Sequence, residues 1–316
     1  MNRSTRRDFL RSSAAIVAAA AFSGSTGACR TLTRGPRKPG WRYAICNEIM
    51  QDWAWPRQCS YAAEIGYQGL EVAPFTLANH ADDLSPDQRA ELRETARDAG
   101  APVIGLHWLL VAPEGLHVTT PDETLRRRSW DYMVDLTRLC ADLGGEVMIF
   151  GSPGQRSSQG TSTEEAVAHL TDGLARVAPA LAEHDVKLLL EPLSSDQTDV
   201  INTLEDAVRV VEAVNHPAVS AMFDFHNTAD ERLPLAELVR QYAGYIEHIQ
   251  IQEMDGTYLG TGDAEEAFVP ALRAFRDIGY DGWISLEVFD FEAGPEVIAS
   301  ESMDVLRRME DAVTST

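Results

Sequence analysis

Apolar runs of four to six residues alternate with longer amphipathic segments along most of the chain. Eight of these runs have the length of strands, at 42–47, 69–73, 102–107, 146–151, 187–192, 220–225, 247–252 and 283–288. Between them, stretches such as 86–100 and 203–214 carry apolar residues at helical spacing. Strands that alternate with helices pair in parallel, because each helix is the crossover to the next strand. Eight such units predict an α/β protein with a (β/α)8 TIM barrel as one domain at 40–316.

The first 39 residues differ from the rest, with a basic start, an Ala-rich stretch and then small residues. This layout indicates an export signal, and Arg6-Arg7 followed by Asp-Phe-Leu is typical of the twin-arginine route. The apolar stretch is too short for a transmembrane span. Cys29 follows Thr-Gly-Ala in a loose lipoprotein box. We therefore expect a periplasmic protein or, with a lipid anchor at Cys29, a membrane-anchored lipoprotein.

The charge of the chain limits the classes of partner that it can bind. It contains 49 acidic and 27 basic residues, for a formal charge of -22, and eight of the basic residues lie within the first 39. Such an acidic chain repels phosphate backbones, so we expect no nucleic acid partner. Beyond residue 39 the only lysine is Lys187, at the start of a predicted strand, which excludes a Schiff-base lysine at the opposite end. An oligomer is left open.

Polar side chains end several of the predicted strands. The last four strands carry Glu191, Asp224, Gln250 and Glu287 near their carboxyl ends, where TIM barrels place their active sites. Crowded carboxylates repel one another unless a cation lies among them. Oxygen-only ligation favours Mg²⁺ or Mn²⁺ over zinc. When such an ion binds a carbonyl and the neighbouring hydroxyl of a substrate, it acidifies the C–H bond between them and stabilises the resulting enediolate. A nearby carboxylate then carries the proton.

Other residues at this predicted end are candidates for binding substrate. Glu71 and His107 hold comparable positions on the second and third strands, and His226 follows the sixth. The polar, glycine-rich loop at 151–163 is a candidate lid that carries Arg156. Each of these residues is also compatible with a purely structural role.

The stretches EPLSSDQTDVINT, MFDFHN, HIQIQEMDGTYLGTGD and GYDGWISLEVF resemble the xylose-isomerase-like barrels of sugar isomerases and epimerases, in particular hydroxypyruvate isomerase and the ketose 3-epimerases. The resemblance covers the chain from about residue 42 onward and implies an isomerase that acts on a sugar. It implies that Glu191, Asp224, Gln250 and Glu287 bind the metal. It also implies that Glu191 and Glu287 exchange the proton on opposite faces of the substrate.

The chain departs from this family pattern at three places. Epimerases carry a second Glu six residues after the first metal Glu, where this chain has Gln197. They place a His three residues beyond the metal Asp, whereas His226 is two beyond Asp224, and their Arg past the seventh strand is here Gly256 or Thr257. The substrate therefore stays open. The alternatives are elimination from a 3-keto-glycoside on the same site, as a lyase, or an exported sugar-binding barrel without turnover.

Overall fold

In the computed structural model, the described residues are 40–315, and they form a closed barrel of eight parallel strands in the order β1 to β8. The strands are β1 Arg42–Cys46, β2 Gly69–Val72, β3 Val103–Leu106, β4 Val147–Phe150, β5 Lys187–Leu190, β6 Val219–Asp224, β7 Ile246–Ile251 and β8 Trp283–Leu286. The predicted α/β class and single TIM-barrel domain are confirmed. The structural strands end one or two residues before the ends of the predicted runs.

Helices surround the barrel between successive strands. They are α1 Trp55–Ile65, α2 Pro86–Ala99, α3 Glu123–Leu143, α4 Thr163–Glu183, α5 Leu204–Val214, α6 Leu235–Gln241, α7 Ala264–Ala267, α8 Val269–Asp277 and α9 Pro295–Thr314. Side chains cap two of these helices: the Ser85 hydroxyl accepts from the Gln88 N–H at the start of α2, and the Thr203 hydroxyl accepts from the Asp206 N–H at the start of α5. These side-chain caps satisfy backbone donors and fix where each helix begins.

Apolar side chains fill the space between the strands and the helices. A continuous cluster of buried residues runs through all eight strands and most of the helices, and a smaller cluster joins Ile149, Leu189 and Met222 on three adjacent strands. Lys187, at the start of β5, forms an ion pair with Glu247 at the start of β7, away from the carboxyl ends of the strands as expected. Among residues 40–315, no lysine therefore lies at those carboxyl ends.

Some expectations concern the N-terminal segment. The predicted export signal, its arginine pair and Cys29 lie outside the described residues. Within residues 40–315, no helix has the length and apolar character needed to cross a bilayer. Cys46, Cys59 and Cys140 are buried free thiols.

Candidate active site

Three carboxylates meet at the carboxyl ends of the barrel strands. Asp224 is the last residue of β6, and Glu191 and Glu287 directly follow β5 and β8. All three are at most 7 % exposed, and one oxygen of each lies within 4.8 Å of one oxygen of each of the others. Glu191 and Glu287 also line a cavity of about 350 Å³. The structure thus brings together three of the four residues predicted as metal ligands, at the bottom of an accessible pocket.

The electrostatics of this cluster are unfavourable without a cation. Burial, together with the charges of Glu287 and Asp224, raises the pKa of Glu191 well above its ordinary value. Burial and the charge of Glu287 do the same to the pKa of Asp224. Desolvation and like charges both oppose ionisation of a carboxyl group. The cluster therefore either holds protons or binds a positive ion.

Asn227 holds two of these carboxylates in place. Its Nδ2 donates to Glu191 Oε1 at 2.9 Å and to Asp224 Oδ2 at 2.7 Å, and its Oδ1 accepts from Gln197 Nε2 at 2.6 Å. Sequence reasoning missed this residue. The available signal was its spacing: Asn227 lies three residues beyond Asp224, at the position where the epimerase pattern has His, and Gln197 occupies the position of the second Glu.

Glu287 is held by a different set of side chains. Its Oε1 receives the Trp108 indole N–H at 2.9 Å and lies 3.1 Å from His107 Nδ1. His107 Nε2 in turn lies 2.9 Å from Glu48 Oε2. Burial alone would lower the pKa of His107, but Glu48 and Glu287 on its two sides raise it well above the ordinary value. The protonated imidazole would then donate to both carboxylates. His107 also lines the cavity, where a substrate could reach it, and its contact with substrate stays a prediction.

Gln250 and Glu71 form a layer below the carboxylates. The pairing of β6 with β7 sets Gln250 opposite Asp224, and Gln250 Nε2 donates to Glu71 Oε1 at 2.8 Å. Burial opposes the ionisation of Glu71, but His248, 2.7 Å away, helps to lower its pKa to about 2. Within residues 40–315, Gln250 Oε1 is buried without a hydrogen-bond partner. Glu71 is fully buried and bonded to Gln250 and His248, and its contact with substrate stays a prediction.

Arg156 and His226 each make contacts that the sequence did not indicate. Arg156 is fully buried, with Nη2 donating to the main-chain oxygen of Glu191 at 2.9 Å, so it supports the β5 end instead of riding on a lid. The prediction overlooked that a guanidinium also satisfies buried carbonyl groups. The His226 ring packs edge-on against Phe289, and its main-chain N–H donates to Asp224 Oδ1 at 3.0 Å. Contact of His226 with substrate stays a prediction.

The close approach of the chain at Gly151 shapes one wall of the cavity. Gly151 directly follows β4, and a Cβ atom built there would overlap Glu191 Oε2. Because Gly151 has no side chain, the Glu191 carboxylate can lie directly against this wall. Beyond it, the cavity wall continues through Ser152 and Gln155.

The donor set fits a hard divalent ion. Three carboxylates converge, and the orphaned oxygen of Gln250 belongs to the strand beside Asp224. Oxygen-only sets of this kind suit Mg²⁺ or Mn²⁺. The convergence is what a metal site requires; the identity of the ion stays a prediction.

Comparisons with known proteins agree with this architecture. The family model described as the xylose isomerase-like TIM barrel matches residues 59–309. A probable ketose 3-epimerase of Synechocystis sp. is 25% identical over 72% of this chain and 76% of its own length. A fructoselysine 3-epimerase of Escherichia coli O157:H7 is 22% identical over 78% and 90%. The prediction of an isomerase is consistent with both names.

Among solved structures, a 3-keto-D-glucoside 4-epimerase from E. coli superimposes with a TM-score of 0.72 at 19% identity, covering 85% of this chain and 99% of its own. An L-ribulose 3-epimerase gives 0.73 at 18% identity, covering 87% and 96%. At these identities the likeness is one of fold.

Proposed function

Because the chain belongs to the xylose isomerase-like TIM barrel family, we propose that it is a divalent-metal-dependent sugar epimerase or isomerase that moves a proton on the carbon beside a sugar carbonyl. The observation that carries this proposal is the convergence of Glu191, Asp224 and Glu287, the first and last of which line the cavity. The names of the curated relatives, which include ketose and fructoselysine 3-epimerases, support the same reaction class.

Glu191, Asp224, Glu287 and the Gln250 carbonyl oxygen would hold the metal. When bound, the ion would polarise the sugar carbonyl and stabilise negative charge on the substrate oxygens during proton transfer, as in an enediolate mechanism. Asn227 keeps two of the ligand carboxylates oriented, and Glu71 holds the Gln250 amide through its nitrogen, which leaves the oxygen free for the ion.

Glu191 and Glu287 are the candidates for carrying the proton. They follow β5 and β8, with two strands between them, and both face the cavity. Each is oriented by its own partners: Asn227 donates to Glu191, whereas Trp108 and His107 hold Glu287. A carboxylate fixed in this way can remove a proton from one side of a carbon, while the second returns a proton from the other side.

The test is exchange of carbon-bound hydrogen with solvent in deuterium oxide. The metal-loaded protein, offered a panel of ketoses and 3-keto-glycosides, should incorporate deuterium next to the carbonyl of its substrate. Glu191→Gln and Glu287→Gln should each lower this rate by about 10²–10⁴-fold, since a positioned general base contributes that much. The matched control is Glu237→Gln on an exposed face of α6, which should exchange at the wild-type rate.

Other outcomes of this assay separate the alternatives. Undiminished exchange in both variants would contradict the assignment of the two glutamates. Release of the attached group from a 3-keto-glycoside, with formation of an unsaturated sugar, would assign elimination instead. Sugar binding without any deuterium uptake by the wild-type protein would identify a binding barrel.

A further inference from the structure

Two exposed aromatic side chains stand at the mouth of the catalytic cavity. Trp108 is 38 % exposed and Phe289 is 39 % exposed, and both line the cavity that contains Glu191 and Glu287. Their ring centroids are 6.1 Å apart in an edge-to-face arrangement. Large aromatic rings are normally buried, so an exposed pair inside a cavity indicates a surface that contacts a ligand. We call this pair the aromatic rim.

The backbone of Trp108 is strained in order to present this ring. Its φ angle is 51°, in the left-handed region that bulky residues rarely adopt. The indole N–H donates to Glu287, and Phe75 packs against the ring at 6.2 Å. The ring is therefore held at a fixed place beside the proton-carrying carboxylate. Strain of this kind that is retained next to an active site is a sign of function.

The charges around the cavity limit which chemical groups can bind at the aromatic rim. Among residues 40–315, no lysine or arginine lines the cavity, and the nearby Arg156 is buried with Nη2 on the Glu191 carbonyl oxygen. Apart from His107, Glu191 and Glu287, the polar side chains of the lining are neutral: Ser152, Gln155, Gln197 and Asn227. A phosphate or carboxylate held at the aromatic rim, away from the carboxylates and His107, would therefore find no lysine or arginine to pair with. This part of the cavity is thus suited to an uncharged group.

From these observations we propose that the aromatic rim is a second subsite, which binds the group attached to the reacting sugar, and that the substrate is a neutral glycoside. The proposal rests on the proposed function, because it places the reacting sugar at the carboxylates. The attached group, an apolar sugar face or an aryl ring, packs against Trp108 and Phe289. A small molecule is the fitting occupant, since the rim lies within the same cavity as Glu191 and Glu287.

Phe289 gives the sharper test of the two rim residues, because Trp108 also bonds Glu287. Phe291 is the matched control: it is 38 % exposed on the same loop, and within the described chain it lies outside the cavity lining. The probes are phenyl β-D-glucoside, D-glucose and glucose 6-phosphate, with the first two also supplied as their 3-keto forms. Affinities are measured by calorimetry on the metal-loaded full chain.

We expect the wild-type protein to bind a phenyl glycoside about tenfold more tightly than the corresponding free sugar, because the aryl ring covers apolar surface on the rim. Phe289→Ala should remove this preference and Phe291→Ala should keep it. Equal affinities for glycoside and free sugar in the wild type, an unchanged preference in Phe289→Ala, or no binding of any probe would overturn the inference. Tighter binding of glucose 6-phosphate than of glucose would overturn its neutral-ligand part.

This experiment measures affinity alone, so it separates the subsite from the reaction. A glycoside preference without deuterium exchange would leave the subsite standing while the proposed function fails. Exchange on free ketoses, with no effect of Phe289→Ala on glycoside affinity, would leave the function standing without the subsite.

Discussion

Replacement of Asn227 by alanine removes two hydrogen bonds to carboxylates that are proposed to bind the metal. The lost donors lie 2.9 Å from Glu191 Oε1 and 2.7 Å from Asp224 Oδ2, and both carboxylates are buried. A hydrogen bond to a charged group contributes about 1.5–3 kcal/mol. Loss of such supporting partners typically lowers metal affinity about 10–100-fold, which is about 1.4–2.8 kcal/mol. This loss of metal-binding free energy equals the contribution of about one of the two hydrogen bonds, as expected if water replaces the other.

The assay is calorimetric titration of metal-free protein with Mn²⁺, for the wild type and for Asn227→Ala. Gln197→Ala is the matched control, because the Gln197 amide donates to Asn227 and stands one step further from the carboxylates. The control should lose less affinity than Asn227→Ala. A dissociation constant for Asn227→Ala within about twofold of wild type, or an equal loss in both variants, would refute the reasoning that Asn227 organises the metal ligands.

Two further predictions concern pH and export. In metal-free protein the raised pKa values of Glu191 and Asp224 contribute stability that is fully present below the unfolded pKa values near about 4 and is lost as pH rises through the folded pKa values, so the Tm should fall as pH rises from about 4 towards neutral. Saturating Mn²⁺ should raise the Tm most at the upper pH, and a metal-free Tm that increases over this range in calorimetry would contradict the argument. Arg6→Lys combined with Arg7→Lys should leave precursor in the cytoplasm on cell fractionation, whereas normal export of that variant would exclude the twin-arginine route.

The barrel was predictable because its signals are local. Each strand is a short apolar run, and each helix carries apolar residues at helical spacing. Eight alternations of strand and helix then leave few ways to close the sheet. Strand-end residues follow from the same logic: once the strands are parallel, Glu191, Asp224 and Glu287 must meet at one end. The carboxylate cluster could therefore be located before any coordinates were known.

The partners of these side chains were less predictable. Arg156 stands in a polar loop of the kind that forms lids, yet its guanidinium is buried against the end of β5. Asn227 was overlooked because His226, one residue earlier, has the more reactive side chain. Whether a polar residue contacts substrate or supports a neighbour depends on distances across the barrel, such as that from Asn227 to Glu191, which the sequence of one loop does not contain.

The missing side chain at Gly151 has a consequence for how this pocket could be diversified. Any larger residue at 151 would push Glu191 out of place, so this wall tolerates no variation while the carboxylate keeps its role. Phe289, by contrast, lies in a less crowded position. It is in the loop beyond β8, and its ring is partly exposed to solvent. A library made to change which sugars are accepted would therefore randomise 289 and leave 151 untouched. Under the two proposals made above, the choice of ligand and the capacity for chemistry would be encoded at separate positions of this barrel.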